Sequence, residues 1–109
     1  MTRDVRFTPR AIRELDRIDD WTRERFGARQ ARLYLDLFEA RLSALAEGTA
    51  HIRQLSTLTG QADHAAVALL RVGEHFLILD LRTEIIRVVD IVHTRSDLMR
   101  IVPTDRETR

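Results

Sequence analysis

The chain has 109 residues, 44% hydrophobic and 32% charged, with a formal net charge of +1. That is the size and composition of one globular domain with one modest core, and the near-neutral balance supplies no field to draw it onto nucleic acid or a membrane surface. Cysteine and lysine are absent, all eighteen basic residues being arginine, which excludes disulfides, thiolate catalysis, cysteine zinc sites and any lysine base.

The N-terminal "MTRDVRFTPR" has no apolar signal region, and no run reaches membrane-spanning length. A cytoplasmic protein with no membrane contact is expected. "DVRFT" (4–8) alternates polar and apolar residues and predicts a short first strand. Thr8 followed by Pro9 predicts a helix start, Thr8 as cap and Pro9 at the first helical position, where its missing N–H leaves no gap. That helix is expected from Pro9 to Phe26 with Gly27 as its stop. Ile12, Leu15, Ile18, Thr22 and Phe26 form its expected buried stripe, while Arg10–Glu14 and Asp19–Arg23 stand four residues apart as surface pairs.

"ARQARLYLDLFEARLSALAEG" (28–48) has the strongest helical period in the chain. Ala31, Leu35, Phe38, Leu42 and Leu45 make one stripe, widened by Tyr34 and Leu37, and Gly48 ends it. The link around Gly27 is so short that the two helices must form an antiparallel hairpin. Residues 49–64 lack periodicity and read as a surface loop. Three short aliphatic runs follow, "AAVALLRV" (65–72), "FLILDL" (76–81) and "IIRVVDIV" (85–92), and read as strands. Gly73-Glu74 is the expected first hairpin turn, and the second lies near Arg82-Thr83. The fold class is α+β: an N-terminal strand and a helical hairpin packed on a mostly antiparallel sheet, in the order β-α-α-β-β-β. Residues 1–102 make the single domain, and "PTDRETR" (103–109) is a polar tail.

Several motifs in this order carry a resemblance. "VRFTPRAIRELDRIDDW", "FGARQARLYLDLFEARLSALAEG", "LLRVGEHFLIL" and "VVDIVHTRSDL" together resemble the RelE/ParE superfamily of toxins from type II toxin–antitoxin systems, over roughly residues 5 to 98, and stand closer to ParE. The last motif occupies the place of the ParE signature Arg-Val-Leu-His-x-Arg-x-Asp, with Asp90 where the leading arginine stands. Asp80-Leu81 replaces the Tyr-Arg pair that usually closes the third strand, and Leu98 and Met99 stand where a late tyrosine is expected. The resemblance implies a cognate antitoxin as partner, a toxin–antitoxin hetero-oligomer, and contact with DNA only through the antitoxin. For a ParE-like toxin it implies inhibition of DNA gyrase by direct binding, with no catalytic residues required. For a RelE-like toxin it implies messenger cleavage on the ribosome, with Arg71, His93 and Arg95 as the available side chains. A third reading is a decayed toxin that retains only antitoxin binding.

The candidate target-binding residues are His75, His93, Arg95, Asp97 and Arg100. Strand alternation groups Ile85, Arg87, Val89, Ile91 and His93 on one face and Ile86, Val88, Asp90 and Val92 on the other. Asp90 must be exposed or paired with an arginine, because an unpaired buried carboxylate is costly. His93 ends the last strand, Asp97 caps a turn, and Arg95 sits beside them as a fork for carboxylate or phosphate. This polar end reads as a contact surface before a reaction centre. His51, His64, His75 and His93 never fall at metal-ligand spacing on one helix face, so neither metal nor cofactor is expected. Trp21 and Tyr34 read as core or helix-interface residues.

Overall fold

The computed structural model describes residues 2–56, 60 and 66–96. The order is β1 (Val5–Phe7), α1 (Pro9–Phe26), α2 (Ala28–Glu47), β2 (Arg53–Gln54), β3 (Val67–Val72), β4 (His75–Asp80) and β5 (Ile86–His93). The caps act as their residue types dictate. The Thr8 hydroxyl accepts from Ala11 N and donates to the Val89 carbonyl, so it caps α1 and ties it to the last strand. Gly27 (φ 90°) and Gly48 (φ 81°) end the two helices in conformations that disfavour a side chain.

The five strands lie in the order β1-β5-β4-β3-β2. β1 runs parallel to β5 and the other pairs are antiparallel. β2 falls inside the segment read as a loop. It is two edge residues paired with Leu69 and Ala68, too short to leave a pattern in sequence. One face of the sheet, with Leu70, Val72, Leu77, Leu79, Val88 and Ile91, packs against Ala11, Leu15 and Ile18 of α1 and Phe38 and Leu45 of α2. The other face also has a buried cluster, Leu69, Ile78 and Val92 with Leu55 and Phe76. The sheet is therefore not left as bare apolar surface there.

Several expected placements change. Ile12 is 49% exposed and Phe26 62%, because the contact stripe of α1 runs instead through Ala11, Leu15, Ile18 and Thr22. Leu37 is exposed, and so is Trp21, at 52%. Asp19–Arg23 pairs as expected, but Arg10 turns to Asp90 and leaves Glu14 to Arg17. The alternation along β5 breaks at a bulge: Ile78 stands opposite Asp90 and Leu79 opposite Val88, so Val89 is the extra residue. Ile86, Val88 and Ile91 consequently share the helix side, while Val89 and Val92 join the opposite cluster. Asp90 is buried, paired with Arg10 at 3.3 Å, and accepts from Ile91 N at 2.9 Å. The paired reading holds.

The second turn, which lacks Gly or Asn, is closed by side chains. Asp80 accepts from Arg82 N at 3.0 Å and grips the Arg82 guanidinium with both oxygens. This contact holds the Asp80 carboxyl below its ordinary 3.8. Arg3 braces the same turn by donating to the carbonyls of Thr83 and Glu84.

Candidate functional site

At the Gly27 end of the helical hairpin a cleft of about 840 Å³ lies between the helices and the sheet. Ile18, Trp21, Thr22 and Phe26 form its α1 wall, with Arg17 at the rim; Gln30 and Tyr34 come from α2, and Glu74, His75 and His93 from the strand ends. Trp21 and Phe26 meet edge to face at 5.9 Å, and the Arg25 guanidinium lies 5.1 Å from the centre of the Trp21 ring. An apolar wall opposite a few convergent polar groups is the usual make-up of a binding site.

Tyr34 organises the polar end. Its hydroxyl lies 2.7 Å from His75 Nδ1, 3.1 Å from the Val72 carbonyl and 2.9 Å from Glu74 N. A phenol has one proton to give. The carbonyl can only accept and the amide can only donate. All three contacts are satisfied together when Tyr34 donates to Val72 and accepts from both Glu74 N and His75 Nδ1–H. Neutral His75 then carries its proton on Nδ1 and leaves Nε2 bare. His93 is its register partner across β4 and β5, and the two rings meet at 5.4 Å, nearly perpendicular. His93 Nδ1 accepts from Arg95 N at 3.1 Å, which puts the proton of its neutral ring on Nε2.

The hairpin turn fits closely around this hub. Gly73 has φ 58°, and a Cβ built on it would lie 2.5 Å from Tyr34 Cε1. Only glycine suits both the backbone and the ring.

Of the residues singled out from sequence, His75 and His93 come together in the cleft. Arg95 is exposed in the turn beyond β5, where it contributes its backbone N–H to His93. Arg71 is exposed on β3 and bonds the Gly73 carbonyl. It alternates with Leu70 and Val72, which face the helices, so it projects from the face opposite His93. Its side chain bends to the hairpin turn, from where its charge still reaches Tyr34. Asp97 and Arg100, like the tail at 103–109, lie outside the described residues. Tyr34 was placed in the helix interface, and it does pack there on Phe38. Its bonding to a turn some forty residues away has no local sequence signal. Trp21 was expected inside and is instead on the cleft rim. No group of three potential metal ligands occurs among the described residues.

Burial, and then the neighbouring His93, push His75 below its ordinary 6.5, against a smaller opposing effect of Glu74. The unfolded chain therefore binds a proton at this site more readily than the folded one. Stability from His75 is fully present above pH 6.5 and declines as pH falls through that value toward the lower folded one. Asp80 has the opposite origin but loses its contribution only below the carboxylate range, so pH 6.5 to 4.5 isolates the histidine. The thermal midpoint is expected to drop across that interval, and less steeply in His75→Gln. Parallel melts of the two proteins check this; equal slopes would remove His75 as the cause.

The fold is similar to a chain of the chromosomal ParDE toxin–antitoxin system from P. aeruginosa, with a TM-score of 0.64 at 16% identity over 84% of this chain and 96% of that one. No curated protein matches the chain in sequence. Among the described residues no helix is long and apolar enough to cross a membrane. Residues 5–98 match the family model of the ParE toxin of the type II toxin–antitoxin system ParDE. The chain therefore belongs to the ParE toxin family.

Proposed function

We propose that this protein is a toxin that inhibits DNA gyrase by direct binding and is neutralised by a cognate antitoxin. The match of residues 5–98 to the ParE toxin family carries this reading. The geometry favours contact over catalysis: Arg71 and His93 stand on opposite faces of the sheet, and the polar side chains of the cleft are held by the Tyr34–His75 bond and by bonds to the backbone at Val72, Glu74 and Arg95. Arg95 is exposed beside that end and presents a planar fork suited to a target carboxylate.

Induction without the neighbouring small gene product is the deciding experiment. Filamentation and an SOS response with intact messengers supports gyrase inhibition. Rapid messenger cleavage would replace that reading with a ribonuclease, and unimpaired growth would leave a protein that only binds its antitoxin. In the same assay Arg95→Ala is expected to lose most of its toxicity. A charged contact desolvated at an interface is worth on the order of 2 kcal/mol, whereas an exposed substitution changes stability by only about 0.5 kcal/mol. A variant that melts normally and stays fully toxic puts Arg95 outside the functional surface.

A further inference from the structure

α2 carries a second apolar line that the core does not use. Leu33, Leu37, Ala40 and Ala44 follow one another at spacings of four, three and four residues, the spacing of a coiled-coil seam, and fall within about 60° of arc on the helix. The buried residues Ala31, Phe38 and Leu45 lie about 130° away around the axis. Phe38 and Leu45 pack on α1 and the sheet, whereas Leu33 is 52% exposed and Leu37 40%. Ala40 is exposed as well, and Ala44 is partly buried. None of the four lines the cleft.

The ends of the same helix are charged against its own dipole. Its first turn holds no acid and its last turn no base. Arg29 stands in the first and Glu47 in the last, both exposed, where each opposes the partial charge of the helix end beside it. Neither is ion-paired among the described residues. The two are eighteen positions apart, about five full turns, so they project from one flank of the apolar line, one beyond each end of it.

We propose that this chain self-associates through α2: two copies set these lines together, antiparallel about a two-fold axis, and Arg29 of each copy meets Glu47 of the other. Turning one helix end for end brings Leu33 against Ala44 and Leu37 against Ala40, so that a large side chain faces a small one along the seam. The same rotation keeps Arg29 and Glu47 on one flank and exchanges their ends. Each Arg29 then lies by the other copy's C-terminal carbonyls, and each Glu47 by its N-terminal amides. Charges that oppose their own helix dipole favour the neighbour's. Arg32 and Asp36, between them, already close on each other. A net charge of +1 sets little general repulsion between two copies. One helix pair buries less than the about 1,200 Å² of standard stable interfaces, so the dimer is weak and depends on concentration. The inference is independent of the toxin reading.

Sedimentation velocity of the purified whole chain between about 5 and 500 µM is the test. The expected result is a passage from monomer to dimer across that range, weaker when salt is raised. Arg29→Glu and Glu47→Arg each set like charges together at both ends of the seam and should weaken association about tenfold. Each also corrects a charge against its own helix dipole, so the thermal midpoint should stay level or rise, which separates lost association from lost folding. The double variant Arg29→Glu with Glu47→Arg restores both pairs and should return to within about threefold of the parent. Leu37→Ser, at an exposed position, should weaken the dimer about tenfold. A chain that stays monomeric throughout overturns the inference. So does a dimer that both single charge variants leave intact, or a double variant that associates no better than the singles. If Leu37→Ser costs affinity for the antitoxin and leaves the sedimentation of the free chain unchanged, the seam belongs to that partner and the inference falls.

Discussion

Gly73→Ala is expected to lower the thermal midpoint by roughly 10 to 40 °C. Two costs add. The turn holds Gly73 at φ 58°, where an L side chain costs about 1–2 kcal/mol. The new Cβ would also lie 2.5 Å from Tyr34 Cε1 and 2.7 Å from its hydroxyl, and overpacking of this kind costs about 1–3 kcal/mol. Tyr34 cannot simply withdraw, because Val72, Glu74 and His75 all bond its oxygen. For a domain of this size each kcal/mol is worth about 4–8 °C. Tyr34→Leu separates the two costs. Alone it leaves the turn's polar groups without their partner and destabilises by about 1–3 kcal/mol. Combined with Gly73→Ala it removes the clash, so the pair should lose clearly less than the sum of the two. Strict additivity in the melts, or a Gly73→Ala midpoint within about 2 °C of the parent, would show that the ring does not sit over the turn.

The contrast between what sequence patterns reveal and what they conceal follows the range of each interaction. The helix ends were legible because caps are local: Thr8-Pro9, Gly27 and Gly48 each act within one turn of their own position. The hairpin at Gly73-Glu74 was legible for the same reason. The burial of Ala11 in place of Ile12 was not, since a one-residue rotation of a stripe is decided by what it packs on. Alternation placed Val89 and Ile91 on one face, and the bulge at Val89 separates them. A bulge is a property of two strands, and neither strand shows it alone. Of the residues named from type and position, the two histidines meet in the cleft, whereas Arg95 contributes only its backbone N–H there. Tyr34 was visible only as an aromatic in a helical stripe, because its three partners lie about forty residues away. Trp21 and Phe26 were assigned to the interior on hydrophobicity, which cannot distinguish a core from the wall of a cleft.

Asp90 stands where the ParE signature has an arginine, and Asp90→Arg is expected to destabilise the protein by about 3 kcal/mol rather than improve it. The native side chain is buried opposite Ile78, accepts from Ile91 N and pairs with Arg10. Arginine there would remove the acceptor at the bulge and set a second guanidinium beside Arg10. Breaking a buried pair in this way costs about 3–5 kcal/mol, and the exposure of Arg10 at the other end of the contact favours the lower figure. Asp90→Asn keeps the oxygen for Ile91 N and loses only the charge, so it should cost about 1 kcal/mol. Arg10→Glu combined with Asp90→Arg reverses the pair and should regain part of the loss, which no packing account of position 90 alone would yield. The same variants bear on function. If Asp90 marks a toxin that has decayed, Asp90→Arg would create growth inhibition in a chain that lacks it. If Asp90 and Arg10 are instead a local exchange of charge that keeps the bulge in place, Asp90→Arg lowers stability and adds no toxicity, and that is the outcome expected from melts and induction assays run side by side.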